Sequence, residues 1–545
     1  MTLRLKLLAV AAAPALLAAA VPAAYAASAH PDAVRAQIAG DVLPNLSSHA
    51  VRTGAVAQGD RITVAVSLKS RDTAGLDTFV AKVSDPRSSS YGHYLTKAQF
   101  AARFGRSDAD VKKVTDYLAA QGLKVGAVHS GNLLVDATGT AAQVQKAFGT
   151  SLSTYKDAAT GRSFYANDAA PSLPASIASV VSDVSGLNNQ AKLRHQPTAL
   201  KPAAAPHNGP GGGYTPAQIK GGYNVSGTYT GSGQQVALLE FDGFQQSNIT
   251  TYDSHYGLGS SAPTVHKVDG GSGSLGDGQV EVELDIEVLN AVAPAAKVTV
   301  FEGPNSDAGE VDTYQAIVDS GIPVTSISWG AAETQRTSSN ITAVDAVFKQ
   351  GAAEGLGFFA ASGDSGSDDA GTGGTSVDYP ASDPYVTGVG GTTLTVTSSN
   401  AWSRETAWSG GGGGKSSKFA IPSWQTPVQK SQGGGKRQVP DVAALANPSP
   451  GVSIYSQGSW GQVGGTSAAA PEWAAFAALY NQQAAAAGKP GLGFANPALY
   501  AANGTGFHDI TSGSNGAYSA GTGWDFTTGW GSYNAATLAT KLLSQ

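Results

Sequence analysis

The 545-residue chain has no cysteine, and Met1 is its one methionine. Disulfides, a thiolate nucleophile and a thiolate metal site are therefore excluded. Beyond Met1 the chain carries neither of the readily oxidised sulfur side chains. Charge is scarce as well: 14% of residues are charged and 41% are hydrophobic. That balance fits a globular protein with a sparsely charged surface, long enough for about two or three domains. Long apolar runs are missing after the N-terminus, so no later segment is expected to cross a bilayer. Neither nucleic acid nor membrane is expected as a partner.

The start of the chain reads as a secretory signal, residues 1–26. Arg4 and Lys6 make a short basic region, and an Ala-rich apolar run spans Leu7 to Val21. Ala24-Tyr25-Ala26 then fits an A-x-A cleavage site. A secreted, extracellular protein is expected.

Residues 27–189 read as a small α/β domain, weakly patterned up to residue 60. RITVAVSL from Arg61 alternates as a strand should. SDADVKKVTDYLAAQG reads as a helix capped by Ser107 and stopped at Gly122. NLLVDATG is a strand and TAAQVQKAFG a short helix. A linker, 190–213, follows: QAKLRHQPTALKPAAAPHNGPGGG is rich in Pro, Gly and Ala and lacks periodicity. Such segments are preferred sites of proteolytic nicking.

The remainder, 214–545, opens on a helix started by Thr215 and Pro216. Strands and helices then alternate: QQVALLEF, VEVELDIEVLNAVA, AKVTVFE, VDTYQAIVDSG, IPVTSISWG, ITAVDAVFKQGAAEG and LGFFAASG. This predicts a mostly parallel sheet with helices on both faces. Reactive groups in such folds gather at the strands' carboxyl ends. Formal charge splits at the linker, +8 for residues 1–209 and −14 for residues 210–545. The basic front and acidic rear are expected to attract each other, less so as carboxylates protonate.

GGTSAAAP, Gly464 to Pro471, precedes an apolar helix. Ser467 at this junction suits a nucleophile, because the glycines admit a substrate backbone and the helix's first N–H groups face outward. Pro471 is expected in the first helical turn. A capping serine on a core helix would look the same. The octet resembles the nucleophile motif of subtilisin-like serine peptidases, which draw on a histidine in an HGT-type motif. Beyond residue 200 the histidines are His207, His255, His266 and His508, and none has that context. A histidine-dependent subtilisin is therefore disfavoured, and another group must take the serine's proton.

Carboxylates are the candidates. Glu281 and Asp285 are four apart and share a helix face. Glu283 and Glu287 form a second pair turned away from the first. An exposed acidic helix is the plain alternative, but the segment is otherwise apolar and follows the loop GGSGSLGDG. Two carboxylates held close cannot easily both ionise, and one of raised pKa can act as base and then acid. Asp364, in SGDSGS at a strand end, could donate from a protonated carboxyl to a developing oxyanion, or be an ordinary turn residue.

GGTSAAAP, the ExxxD of Glu281–Asp285, SISWG and SGDSGS, in this order, resemble the sedolisin or serine-carboxyl peptidase family, most closely its kumamolisin branch. YGHYLTKAQFAARFG at Tyr91–Gly105 looks like that family's propeptide, and VDYPASDPYV, VPDVA and FHDI also fit. The resemblance implies a subtilisin-like α/β fold preceded by a ferredoxin-like propeptide that acts as intramolecular chaperone and inhibitor. It implies a monomeric, acid-active endopeptidase working on proteins or peptides through an acyl-enzyme on Ser467. Glu281 would move the proton, Asp285 would orient and share it, and Asp364 would hold the oxyanion with the Ser467 N–H. It places Glu240 and Trp329 beside the acidic pair, where simple core packing is the alternative. It places Asp378 near the pocket for the second residue on the acyl side, favouring a basic side chain there. Asp509 and Asp525, with carbonyls of Ile510, Gly521 and Gly523, would form one calcium site, since all-oxygen ligands suit a hard cation. A secreted binding protein on an inactive peptidase-like fold is the alternative from another class.

Overall fold

The computed structural model describes residues 34–44, 46–158, 160–194, 209–273 and 275–545. The expected signal peptide lies outside them, as does the 195–208 part of the expected linker.

The front of the chain contains β1 (Arg61–Leu68), α1 (Thr73–Ser84), α2 (Lys97–Arg103), α3 (Asp108–Ala120), β2 (Lys124–Val128), β3 (Leu134–Thr140), α4 (Ala141–Phe148) and β4 (Val181–Ser185). The strands form an antiparallel sheet in the order β2-β3-β1-β4, the ferredoxin-like arrangement. Local signals start its helices. The Ser107 side chain accepts from the Asp110 N–H at 3.1 Å. Thr140 and Gln143 form a capping box on α4. Val64, Val66, Val135, Val144 and Phe148 fill the core between sheet and helices. The weakly patterned stretch before β1 still supplies a strand, Ala50–Ala55, antiparallel to Leu152–Asp157.

The rear contains β5 (Gln235–Glu240), β6 (Thr264–Lys267), α5 (Gln279–Val292), β7 (Lys297–Glu302), α6 (Asp307–Ser320), β8 (Val324–Ile327), α7 (Ser338–Glu354), β9 (Gly357–Ala361), β10 (Thr387–Val396), β11 (Trp402–Ala407), β12 (Val442–Leu445) and α8 (Thr466–Ala486). The sheet runs β6-β7-β5-β8-β9-β10-β11, with β12 also on β10. Every pairing is parallel except β10 with β11. Alternate residues of β5 show why both faces are covered. Val236 and Leu238 join the core under α5 and α8, and Ala237 and Leu239 join the core under α6 and α7. Each fully buried Val, Leu or Ile contributes about 1.5–3 kcal/mol. Every residue of α5 is buried, its four acidic residues included.

The front domain docks on α6 and α7. Ala65 and Leu134 enter the α6–α7 core, and Leu76, Phe100 and Phe104 pack with Ala352, Ala353 and Phe494. Among the described residues the ion pairs across this seam are His129–Asp319 at 3.4 Å and Asp77–Lys349 at 2.8 Å. The two have opposite polarity, so the charge split of the sequence is not concentrated there.

Candidate active site

Ser467 is the second residue of α8 and is 2% exposed. Gly465 precedes the helix at φ 134°, ψ 164°, a region open essentially to glycine alone. Its N–H donates to the Ala446 carbonyl at 2.6 Å and fixes the turn. Pro471 does not fall in the first turn, as the sequence suggested, but inside α8. It has no N–H, so the Ser467 carbonyl lacks its usual donor four residues on. The Ser328 hydroxyl approaches that carbonyl instead, at 3.3 Å.

Glu281 lies in the first turn of α5 and Asp285 one turn later, both with no exposed surface. Burial is the largest influence on each and pushes both carboxyls well above the usual range. Asp285 and Asp364 push Glu281 further up, against hydrogen bonding from Ser467 and Ser328 that pulls it down. The Ser328 hydroxyl donates to Asp285 Oδ1 at 2.9 Å. Glu240, at the end of β5, accepts from Trp329 Nε1 at 2.7 Å and lies against Asp285. Burial raises Glu240 too, with Trp329 opposing. A network of three buried carboxyls thus runs from Ser467 through Glu281 and Asp285 to Glu240. It can hold a proton on more than one member and titrates as a unit.

The other pair on α5 is buried as well, on the opposite side. Glu283 accepts from the Gln245 N–H, Asn248, Gln279 and Ser456. Glu287 accepts from the Tyr455 N–H at 2.8 Å. These bonds brace the Val452–Val463 hairpin that leads into α8.

Asp364 follows the end of β9. Its Oδ1 accepts from the Thr466 N–H and hydroxyl, each at 2.7 Å, and its Oδ2 is buried without a partner. Burial pushes its pKa up to about 7, against both Thr466 bonds. A proton on Oδ2 can therefore be presented beside Ser467. β8 and β9 are neighbours in register, Ile327 opposite Ala360, so Ser328 and Asp364 arrive at the same carboxyl-end edge.

Asp364, Ser467, Ser328 and Thr466 line one cleft together with Arg194, Gly330, Asp369 and Asp378. Arg194 comes from the front of the linker. Its N–H donates to the Gly330 carbonyl at 2.9 Å, and its carbonyl accepts from the Gly330 N–H at 3.1 Å. Arg194 thus makes one antiparallel bridge to Gly330, the pairing an extended peptide would make. A Cβ on Gly330 would fall 2.0 Å from Asp378 Oδ1, so glycine here lets the carboxylate sit against the strand edge. Burial and then Asp369 push the Asp378 carboxyl well above its ordinary range. Burial lifts Asp369 to about 6, with Asp378 and Arg194 opposing.

Farther off, Asp525 Oδ2 accepts from the Gly521 N–H at 2.8 Å, and its Oδ1 from Thr527 and Thr528. Asp509 accepts from the Gly523 N–H at 3.1 Å. Two carboxylates and the glycine loop are gathered, and Ile510 follows Asp509 directly. The donor set is oxygen throughout, which fits a hard divalent cation.

The matches to known proteins agree with this geometry. The model for "Pro-kumamolisin, activation domain" matches residues 48–190, and that for the "Subtilase family" matches residues 270–531. Kumamolisin of Bacillus sp. (strain MN-32) is 35% identical over 91% of this chain and 94% of its own length. The chain belongs to the sedolisin family of serine-type peptidases. Sedolisin of Pseudomonas sp. (strain 101) is 31% identical over 90% of this chain and 88% of its own. The structure of Pseudomonas sedolisin complexed with two molecules of pseudo-iodotyrostatin aligns at TM-score 0.56 and 30% identity, covering 61% of this chain and 98% of that one. A subtilisin-like fold behind an activation domain, a zymogen's layout, is thereby shown for this sedolisin relative.

The structure brings in three participants to which the sequence reading assigned no role. Ser328 touches Asp285 and the Ser467 backbone, Thr466 holds Asp364, and Arg194 lines the cleft. Ser328 and Thr466 each stand next to a residue already singled out, in SISWG and GGTSAAAP. Arg194 had no signal beyond being a basic linker residue.

Proposed function

We propose that this sedolisin-family peptidase is a secreted, acid-active serine-carboxyl endopeptidase that matures itself from its zymogen. The observation that carries the reading is Asp364 beside Ser467, with one oxygen bound by Thr466 and the other buried and free. Around them the proton-handling groups are carboxyls pushed upward by burial.

Ser467 Oγ attacks the scissile carbonyl and its proton passes to Glu281. Asp285, held by Ser328 and Glu240, shares that proton and keeps Glu281 oriented. The developing oxyanion receives the Asp364 Oδ2 proton as a hydrogen bond and the Ser467 N–H at the start of α8. Glu281 then returns the proton to the leaving amine, and water resolves the acyl-enzyme by the reverse sequence. The substrate takes the strand position of Arg194 along Gly330, and Asp378 favours a basic side chain in the pocket for the second residue on the acyl side. The activation domain inhibits by holding the linker in that place, and release requires the linker to be cut. Asp509, Asp525 and the carbonyls of Ile510, Gly521 and Gly523 hold one calcium ion, which ties the C-terminal loop and takes no part in the chemistry. The signal-like residues 1–26 support export, and no described helix is long and apolar enough to cross a membrane. The protein acts as a monomer on protein and peptide substrates.

The test is hydrolysis of casein by purified protein at acidic and at neutral pH. Wild type is expected to cleave at acidic pH only. Ser467→Ala is expected to fold, to keep its activation domain attached and to cleave nothing. Turnover in Ser467→Ala, or a wild-type optimum at or above neutrality, rejects the proposal.

A further inference from the structure

A second cluster of ionisable groups lies far from Ser467, in the seam between the activation and catalytic domains. His129, in the turn after β2, and Asp136, on β3, come from the activation domain. Asp312, on α6, comes from the catalytic domain. One ring nitrogen and one oxygen from each carboxylate all lie within 4.8 Å of one another. Asp312 is 1% exposed, and neither of its oxygens receives an N–H or hydroxyl donor; the groups within hydrogen-bond reach are the carboxyls of Asp136 and Asp269. Asp136 is 7% exposed, and its Oδ1 also receives no such donor. Asp269 stands close enough to interact with Asp312 as well. Carboxylate oxygens buried together without donors are costly, and buried charges are normally paired or bound to metal.

The histidine is oriented from behind. Its Nδ1 lies 3.4 Å from Asp319 Oδ2, and Asp319 is itself held by Ser130 and Gln315. Carboxylates on both ring nitrogens hold the imidazole in place, and a cation bound between Nε2 and Asp136 would displace the proton that Nε2 donates there. Nε2 is 3.0 Å from Asp136 Oδ2. This is about the spacing of two ligands that each sit ~2.0–2.2 Å from one ion. Imidazole with carboxylates selects a cation of the zinc class, whereas calcium prefers oxygen alone.

We propose that His129, Asp136 and Asp312 form a binding site for a divalent cation of the zinc class, which clamps the activation domain onto the catalytic domain. Two ligands come from one domain and one from the other, so the ion is held only while the domains are docked. The inference is independent of the proton path at Ser467.

The experiment uses the full-length Ser467→Ala zymogen, stripped of metal and then kept in saturating calcium near neutral pH. Zinc is the probe. One equivalent is expected to bind by calorimetry and to raise the thermal midpoint. X-ray absorption is expected to find one imidazole nitrogen among oxygen ligands. Asp312→Asn and, separately, His129→Gln are expected to weaken binding at least tenfold and to remove the midpoint shift, with circular dichroism confirming the fold. If Asp312→Asn does not fold, His129→Gln and the absorption spectrum decide. Absence of saturable zinc binding, a first shell without imidazole, or undiminished binding in the folded variants overturns the proposal.

Discussion

Asp364 gives one carboxylate oxygen to the N–H and hydroxyl of Thr466, each 2.7 Å away, and keeps the other buried without a partner. Thr466 is the residue before Ser467, so the carboxyl is fixed to the same turn that carries the nucleophile. Two donors on Oδ1 leave Oδ2 as the place for a proton.

That arrangement makes the pH profile diagnostic. Burial raises Asp364 to about 7, so the carboxyl is protonated and can donate below that pH and loses the ability above it. Wild-type kcat/KM is expected to form a bell in the acidic range, with Asp364 setting the basic limb. Asp364→Asn keeps a neutral group that does not titrate. On pre-activated enzyme it is expected to lower the maximum and move the basic limb to higher pH. Asp364→Ala is expected to cost about 10²–10³ in kcat, the usual loss for one oxyanion donor. A basic limb unmoved in Asp364→Asn would remove Asp364 from that role.

Ser328 offers a finer test, because it touches the acidic pair and the nucleophile's backbone without being a proton carrier. Its hydroxyl donates to Asp285 Oδ1 at 2.9 Å and approaches the carbonyl that Pro471 leaves bare. A hydrogen bond to a charged partner contributes about 1.5–3 kcal/mol. Ser328→Ala is therefore expected to lower kcat roughly 10- to 100-fold with little change in KM. Hydrogen bonding from Ser328 lowers both Glu281 and Asp285 against their burial. Its removal is expected to shift the acidic limb upward, as the proton-accepting form becomes harder to reach. A kcat loss with an unmoved acidic limb would mean that Ser328 only packs.

The alternation of strands and helices after residue 235 was legible because each segment is long, apolar and periodic. The Glu281–Asp285 face followed from helical spacing alone. The burial of Glu283 and Glu287 did not, since their partners Gln245, Asn248, Tyr455 and Ser456 come from segments far away in sequence. Pro471 was misplaced for a local reason. Proline is common in a helix's first turn, whereas here its missing N–H serves a contact with Ser328 that only the folded chain reveals. His129 and Asp312 belong to different domains, and no spacing rule could have joined them. The resemblance to sedolisins named the chemistry, and the structure supplied the atoms that hold it in place.

The C-terminal loop is expected to respond to calcium. Asp509 and Asp525 both reach the Gly521–Gly523 loop, and an ion bound only by the folded state stabilises it by mass action. That stabilisation is about 2.7 kcal/mol when the free ion is 100-fold above its Kd. In the Ser467→Ala zymogen, chelation is expected to lower the thermal midpoint and added calcium to restore it. Asp509→Asn changes an exposed residue and is expected to blunt the response without unfolding the protein. A midpoint indifferent to calcium would make the loop an ordinary set of turns.

Stability itself is expected to fall as pH rises, the reverse of a protein held by salt-bridged carboxylates. Asp364 is raised to about 7 and Asp183 to about 6, in both cases chiefly by burial. Glu240, Glu281, Asp285 and Glu472 move in the same direction for the same first reason. A carboxyl whose folded pKa exceeds its unfolded value binds more protons when folded. Its contribution is complete below the unfolded pKa, near 4, and is lost as pH rises through the folded one. Each roughly tenfold gain in proton affinity on folding corresponds to about 1.4 kcal/mol. His129 adds to the trend. In the metal-free protein burial opposes its protonation, but the bonds to Asp136 and Asp319 outweigh that and lift it to about 9, so its contribution too fades at alkaline pH. Asp319 is the counter-case: burial pushes it up, but the bonds from His129 and Ser130 outweigh that and hold it below its ordinary value. Its contribution is complete above about pH 4 and is lost only on further acidification, so it leaves the trend at higher pH unchanged. The measurement is urea unfolding of the Ser467→Ala zymogen between about pH 4 and about pH 8, where the raised carboxyls titrate. The midpoint is expected to be highest at the acidic end and to drop steadily between about pH 5 and about pH 8. A midpoint that is flat or rising across that window would mean that the buried carboxyls are ionised in the folded protein, and the acid-active reading would lose its physical basis.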